Sequence, residues 1–425
     1  MRIVKYPLRN EWEALSKRPE IEVSRLYDTV RTILDDVRTG GDAAVIRYAE
    51  RFDHVRLTSI RVSDDEIAEA STLISEDLKR AIKTAAGNIE KFHAAQRFEA
   101  LEVETMPGVY CRQKAVPIEK VGLYVPGGTA PLFSSVLMLG IPAQIAGCSQ
   151  IVLFTPSTPE GKVHPAILFA AQTAGITQVF KVGGVQAIAA MAYGTESVPK
   201  VYKIFGPGNQ YVTAAKQLVS INDVAIDMPA GPSEVAIIAD EQANPAFIAA
   251  DFLSQAEHGS DSQSVLLTTS ETLAKYVEKE VLNQLQTLPR QSYITKSLSN
   301  SLIIVLKDSA EIVEYINIYA PEHLIIQTAD YKNIGEKIVN AGSVFLGAYT
   351  PESAGDYASG TNHTLPTKGF SKMYNGVNLD SFVRKITFQE ITREGLSRLG
   401  NTIEIMAESE SLMAHRNAVS IRLIT

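Results

Sequence analysis

The sequence predicts an α/β protein, with two parallel-sheet units set between a helical N-terminal segment and a helical C-terminal tail. Three observations predict it. From about residue 121, short apolar runs end in glycine or proline turns and alternate with helical periodicity, the pattern of parallel strands joined by crossover helices. The first hundred residues carry helical spacing with cap signals. From Thr392 onward, Leu396, Leu399, Ile403 and Met406 recur at helical spacing.

Taken in chain order, residues 23–37 place apolar side chains at helical intervals, and Gly40-Gly41 is the stop signal. Ser63 and Glu66 form a capping box, each side chain satisfying the other's free amide. A long amphipathic helix is expected from there to about Ala95. His54 falls in a charged turn and His93 on that helix, and both read as surface residues. The first sheet unit takes strands at 121–125, 151–154, 178–182, 203–205 and 225–228, with helices at 186–193 and 209–219. Its strands run into Pro126-Gly127-Gly128, Thr155-Pro156, Gly183-Gly184, Gly206-Pro207-Gly208-Asn209 and Pro229-Ala230-Gly231-Pro232. Loops of this kind lie at the carboxyl ends of parallel strands, where ligands bind. The second unit opens near Glu234 with a strand at 235–239. Asn244 and Pro245 form an N-cap and first-turn pair for a helix that runs to His258 and stops at Gly259. Further strands are expected at 264–268, 301–305, 324–327 and 344–346.

Composition narrows the function. A formal net charge of -8 argues against nucleic acid or an anionic membrane as the main partner. No apolar run reaches the ~20 residues of a membrane span, and the N-terminus lacks the apolar core of a signal peptide, so a cytoplasmic location is expected. Cys111 and Cys148 form no CxxC pair, which argues against a thiolate metal site or a redox dithiol. Both read as packed residues.

Four of the seven histidines lie in short polar clusters in the last 40% of the chain. Histidine serves metal ligation and proton transfer near neutral pH. Gln255 and His258 are three apart, so they share a helix face and can reach one metal; the alternative is a structural pair. Glu322-His323 precedes a strand, and adjacent residues there point different ways. One can act as base while the other orients water, or the pair can be a capping Glu and a buried His. Asp356 and His363 share a glycine-containing loop, as a metal ligand and a substrate contact or as a plain surface loop. His415 stands alone on the terminal helix, five residues after Glu410, and reads as a surface residue, as does His164 before Pro165. Gly206-Pro207-Gly208 begins like a dinucleotide fingerprint, but Tyr211 holds the third glycine position, so any NAD site here is not the standard one.

Several long motifs, in one order, resemble the histidinol dehydrogenase family. They are residues 121–128, 205–209, 227–234, 253–259, 321–324 and 353–363, and the resemblance runs from about residue 10 to about 422. It implies two incomplete Rossmann-like parallel-sheet domains and two successive NAD-dependent oxidations, from L-histidinol through L-histidinal to L-histidine. It implies one zinc ion per subunit, held by Gln255, His258, Asp356 and His415. It implies a homodimer with exchanged C-terminal tails, so that His415 arrives from the partner. Ser233, His363 and Glu410 would contact substrate together with His323 and the zinc ligands, and Tyr124, Gln186 and Asn209 would bind NAD. The expected division is residues 1-20 as an N-terminal segment, 21-122 plus 235-377 as one discontinuous domain, 123-234 as the nucleotide-binding domain, and 378-425 as the exchanged tail. By residue type, His323 suits the general base and Glu322 the activation of water for the second oxidation. A zinc hydrolase using Glu322, or a metal-dependent binding protein, would also use the histidine clusters. Neither accounts for Glu322-His323 together with loops suited to a dinucleotide.

Overall fold

The computed structural model describes residues 1–19, 23–127, 130–229 and 231–424. Gly128 and Ala230, expected in two of the turns, lie outside the described residues. The first unit is a five-stranded parallel sheet in the spatial order Gln178–Phe180, Gln150–Phe154, Lys120–Tyr124, Lys203–Phe205, Ala225–Ile226. The second is a six-stranded parallel sheet in the order Arg2–Lys5, Leu302–Val305, Gln263–Thr268, Glu234–Ala239, His323–Gln327, Ser343–Leu346. Helices cover both faces of each sheet, which is why most strands read as unbroken apolar runs rather than alternating ones. In Gln150–Phe154 the period of two sorts the side chains: Ile151 and Leu153 enter one core, Val152 and Phe154 the other.

Several expectations change. The N-terminal segment is not only helical, because Arg2–Lys5 pairs with Leu302–Val305 at the sheet edge. Gly40-Gly41 interrupts the helix as expected, but a second helical stretch follows at once across the kink. Tyr27–Asp53 is continuous apart from Gly41, whose φ of 52° is a left-handed value open to glycine, and His54 terminates it. The long helix to Ala95 is two, Asp64–Ala70 and Glu76–Ala94, because Ser75 caps the second. His93 is buried rather than on the surface, its Nδ1 lying 2.9 Å from the Ile89 carbonyl. Domain membership also differs from the expected division. Val30, Val45 and Ile60 share a core with Tyr124, Phe154 and Ile188, and Ile82 and Ile89 share one with Leu137 and Ile167. The helices of 27–94 therefore pack on the five-stranded sheet, while Asn88 and His93 also meet Ala358 and Asn362.

A third sheet was not expected. Leu101–Met106, Val109–Pro117 and Val383–Ile391 form an antiparallel ribbon, pairing the start of the tail with a segment some 270 residues earlier. The tail then continues as two helices packed on each other, Arg393–Ser409 and Met413–Ile424. Ile405, Met406, Leu412, Met413, Ile421 and Ile424 remain exposed on it. The segment 227–233 sets the relation of the two large sheets. It leaves the carboxyl end of Ala225–Ile226 and enters the amino end of Glu234–Ala239. A site between the units thus combines carboxyl-edge loops of the smaller sheet with amino-edge residues of the larger one.

Candidate active site

A cavity of about 410 Å³ occupies that junction, lined by Gly206 to Asn209 on one side and by Ser233, Glu322, His323 and Asp356 on the other. Gly206 is required on its side. Its φ is 116°, and a Cβ there would sit 1.9 Å from the Tyr124 carbonyl oxygen. Asp227 braces the loop: its carboxylate accepts from the Gly206 and Met228 amides, each at 2.8 Å, and pairs with buried Lys216 at 2.5 Å. Asn209 caps the following helix, its Oδ1 accepting from the Tyr211 and Val212 amides at 3.0 and 3.1 Å.

On the other side, Glu322 and His323 grip one residue of the neighbouring parallel strand. Glu322 Oε2 accepts from the Glu234 amide at 2.9 Å, and His323 Nδ1 lies 3.3 Å from the Glu234 carbonyl oxygen. A proton on Nδ1 donated to that carbonyl leaves Nε2 as the free basic nitrogen. His323 Nε2 is buried without a hydrogen-bond partner among the described residues, 3.6 Å from Asp356 Oδ1. Glu234 is itself fixed, since Arg18 donates to both its oxygens at 2.7 and 3.1 Å while stacking over Tyr319. Arg18 and Glu234 had no role in the sequence reading, because only strand pairing brings them under the site.

Electrostatics separate the two catalytic candidates. Burial pushes Glu322 up to about 8, against the pull of His323. Burial pulls His323 down, but the carboxylates of Glu352, Glu322 and Asp356 outweigh it and raise the imidazole to about 10.

Glu352 is the residue that sequence reading missed. It is 1% exposed and lies on the short helix Glu352–Tyr357, which also carries Asp356; that residue was expected in a loop. Their spacing of four, which puts two carboxylates on one helix face, was the available signal. Ligand atoms of His258, Glu352 and Asp356 all lie within 4.8 Å of one another. The Gln255 amide bridges the Glu234 N–H, at 3.1 Å, and the Glu352 carboxylate. His258 is exposed, yet desolvation by the surrounding protein lowers its pKa. His258 follows the C-cap of its helix, which ends at Ala256. An imidazole, two carboxylates and an amide suit a divalent cation such as zinc. His363 sits beside them, its Nδ1 2.9 Å from the Asp356 carbonyl and its Nε2 3.0 Å from Ser135 Oγ. Glu410 and His415 are exposed on the tail and line no part of this cavity within the chain.

A second cavity, of about 880 Å³, adjoins the first; Pro126 and Asn209 line both. Tyr124 and Gln186 line it. The Tyr124 hydroxyl accepts from the Gly184 amide at 3.1 Å, and burial pushes its pKa to about 12. Gln186 is 1% exposed, with its Oε1 unpartnered among the described residues.

A family model described as histidinol dehydrogenase matches residues 16–423. The chain belongs to the histidinol dehydrogenase family. Histidinol dehydrogenase from Bacteroides thetaiotaomicron is 63% identical over 425 residues, covering 100% of this chain and 99% of that protein. The Escherichia coli K12 histidinol dehydrogenase is 52% identical over 412 residues, 96% of this chain and 94% of that one. The crystal structure of histidinol dehydrogenase from Elizabethkingia anophelis superposes with a TM-score of 0.98 at 53% identity, covering 100% of this chain and 98% of that chain. As a histidinol dehydrogenase family member, the chain is an NAD-dependent oxidoreductase of histidine biosynthesis. Among the described residues, no helix is long and apolar enough to cross a membrane.

Proposed function

We propose that the junction cavity carries out both oxidations of L-histidinol, with His323 as general base and Glu322 as the base for water. The observation that carries this is the joint grip of Glu322 and His323 on Glu234. It leaves His323 Nε2 buried and unpartnered among the described residues, in a cavity that shares Pro126 and Asn209 with one of about 880 Å³. His323 Nε2 takes the hydroxyl proton of the alcohol while the carbinol carbon gives its hydrogen to NAD as hydride. Glu322 takes a proton from the water that adds to the aldehyde, and His323 acts again on the hydrate. Neither cysteine is needed: Cys111 lies on the ribbon strand Val109–Pro117 and lines neither cavity, and Cys148 is buried with its thiol pushed up to about 12.

His258 and Asp356 would hold zinc with Gln255, which Glu352 keeps oriented, and His415 would come from a second copy. Bound zinc supplies a positive charge that orients the imidazole and amine of the substrate. Cation binding among these carboxylates also lowers the His323 pKa toward the neutral form that a base requires. Tyr124, Gln186 and Asn209 would line the NAD site, and Ser233, His363 and Glu410 would contact substrate. The exposed apolar side chains of the tail support a homodimer in which the tail lies against a second copy. A cytoplasmic site of action fits a biosynthetic dehydrogenase.

The test is the yield of NADH from limiting histidinol with excess NAD and zinc. Two NADH per histidinol are expected. His323→Asn should abolish turnover with zinc content unchanged, whereas His258→Asn should lose zinc. Absence of NADH from zinc-loaded, folded protein would refute the reading.

A further inference from the structure

We propose that Asp53 makes the enzyme selective for NAD over NADP by binding the adenosine ribose 2′-hydroxyl. The inference rests on the reading of the larger cavity as the NAD site. Nicotinamide must reach His323, so it enters the smaller cavity past Asn209 and Pro126, the residues common to both. The adenosine half then occupies the part that is not shared, where Phe52 and Asp53 form the wall. These two residues end the helix Tyr27–Asp53. Phe52 is 46% exposed and its ring stacks on Tyr48, so it adds apolar wall beside Asp53 for a purine to lie against.

Asp53 is the one carboxylate lining this cavity, and no lysine or arginine lines it among the described residues. A carboxylate can accept both ribose hydroxyl protons, as acidic residues do in dinucleotide-binding folds. Against a 2′-phosphate the same group sets like charge against like charge in a partly desolvated site, where His164 is the one imidazole on the wall and no lysine or arginine offsets the repulsion among the described residues. Asp53 is half-buried, and burial raises its pKa, consistent with a carboxylate set into the cavity wall rather than in open solvent. Arg51, whose guanidinium stands over the Phe52 ring at 5.3 Å, does not line the cavity, and the charged group that acts on Asp53 is its chain neighbour His54, which also does not line it. The standard fingerprint with its acidic residue is missing from the first strand and turn of this sheet. Asp53 supplies the same chemistry from a helix elsewhere in the chain.

The experiment measures kcat and KM for NAD and for NADP in the wild type, Asp53→Asn and Asp53→Ser, with saturating histidinol and zinc. The wild type should favour NAD in kcat/KM by on the order of 100-fold or more. Asp53→Asn keeps the size and removes the charge, so this preference should fall by about tenfold, chiefly through a lower KM for NADP. Asp53→Ser, which also makes room for a phosphate, should fall further. An unchanged ratio in variants that melt like the wild type overturns the role of Asp53 while leaving the NAD site in place. Wild-type protein that reduces neither cofactor overturns both.

Discussion

Glu322→Gln separates the two oxidations. Glu322 is 5% exposed, and its Oε2 accepts the Glu234 amide at 2.9 Å. Glutamine has the same size and still offers an oxygen to that amide, so folding stability should change by less than about 1 kcal/mol. What it loses is the ability to take a proton. Loss of a positioned general base costs about 10² to 10⁴ in rate, or roughly 3 to 5 kcal/mol in the barrier. The loss should fall on the hydration-dependent second oxidation, not on removal of the alcohol's hydroxyl proton by His323. The assay compares NADH production from histidinol with that from histidinal supplied directly, under an aldehyde trap. With the variant, NADH per histidinol should fall from two toward one, and trapped aldehyde should appear. The wild-type pH profile supplies a second readout. With burial holding Glu322 at about 8, about a tenth is ionised at pH 7 and about nine-tenths at pH 9. The ionised form is the base, so aldehyde oxidation rises with pH across this range, and a cation bound nearby moves the window to lower pH. The variant should lack this rising limb. Equal loss in both oxidations, or two NADH at the wild-type rate, would show that Glu322 is not the base for water.

Two further perturbations address the thiols and the tail. Replacing Cys111 and Cys148 with alanine should leave turnover largely intact, because a buried thiol held at about 12 supplies no thiolate; near-complete loss in a folded double variant would restore a covalent aldehyde route. Refolding a mixture of His323→Asn and His415→Asn chains should restore activity if His415 serves the partner's site. Half the dimers are then mixed and each carries one intact site, about a quarter of all sites. No recovery, from two variants each inactive alone, would place His415 in the site of its own chain or outside any site.

Much of the fold was legible locally. Ser63 and Glu66 do form a reciprocal cap, Asn244 caps the helix Pro245–Ala256, and the pattern of a strand followed by a glycine or proline turn marked every strand of the five-stranded sheet. These features depend on interactions within a few residues of chain, so the residue types carry them. Gly41 shows the limit of that reading: its residue type signals the break in the helix, but not that a second helix resumes at once, with side chains on both sides of the kink sharing one core. His93 was misplaced for a related reason. Helical spacing gives its direction on the helix, but not that Asn362, held by the Met138 carbonyl, lies against its Nε2.

By itself, the sequence determined the class of fold, the order of its elements and a family whose motifs extend along nearly the whole chain. It also named the chemistry-bearing pair Glu322-His323. Only the tertiary structure decided what that pair holds. Parallel pairing of His323–Gln327 with Glu234–Ala239 brings residue 322 to residue 234, and Arg18 fixes Glu234 from the N-terminal segment. Only there does Glu352 join Asp356 and His258. Tertiary structure also set the helices of 27–94 on the smaller sheet and built the ribbon that ties the tail to Val109–Pro117. These contacts link segments tens to hundreds of residues apart. They arise because buried apolar faces and backbone hydrogen bonds must find partners wherever the chain can supply them, and local periodicity does not record which partner each face finds.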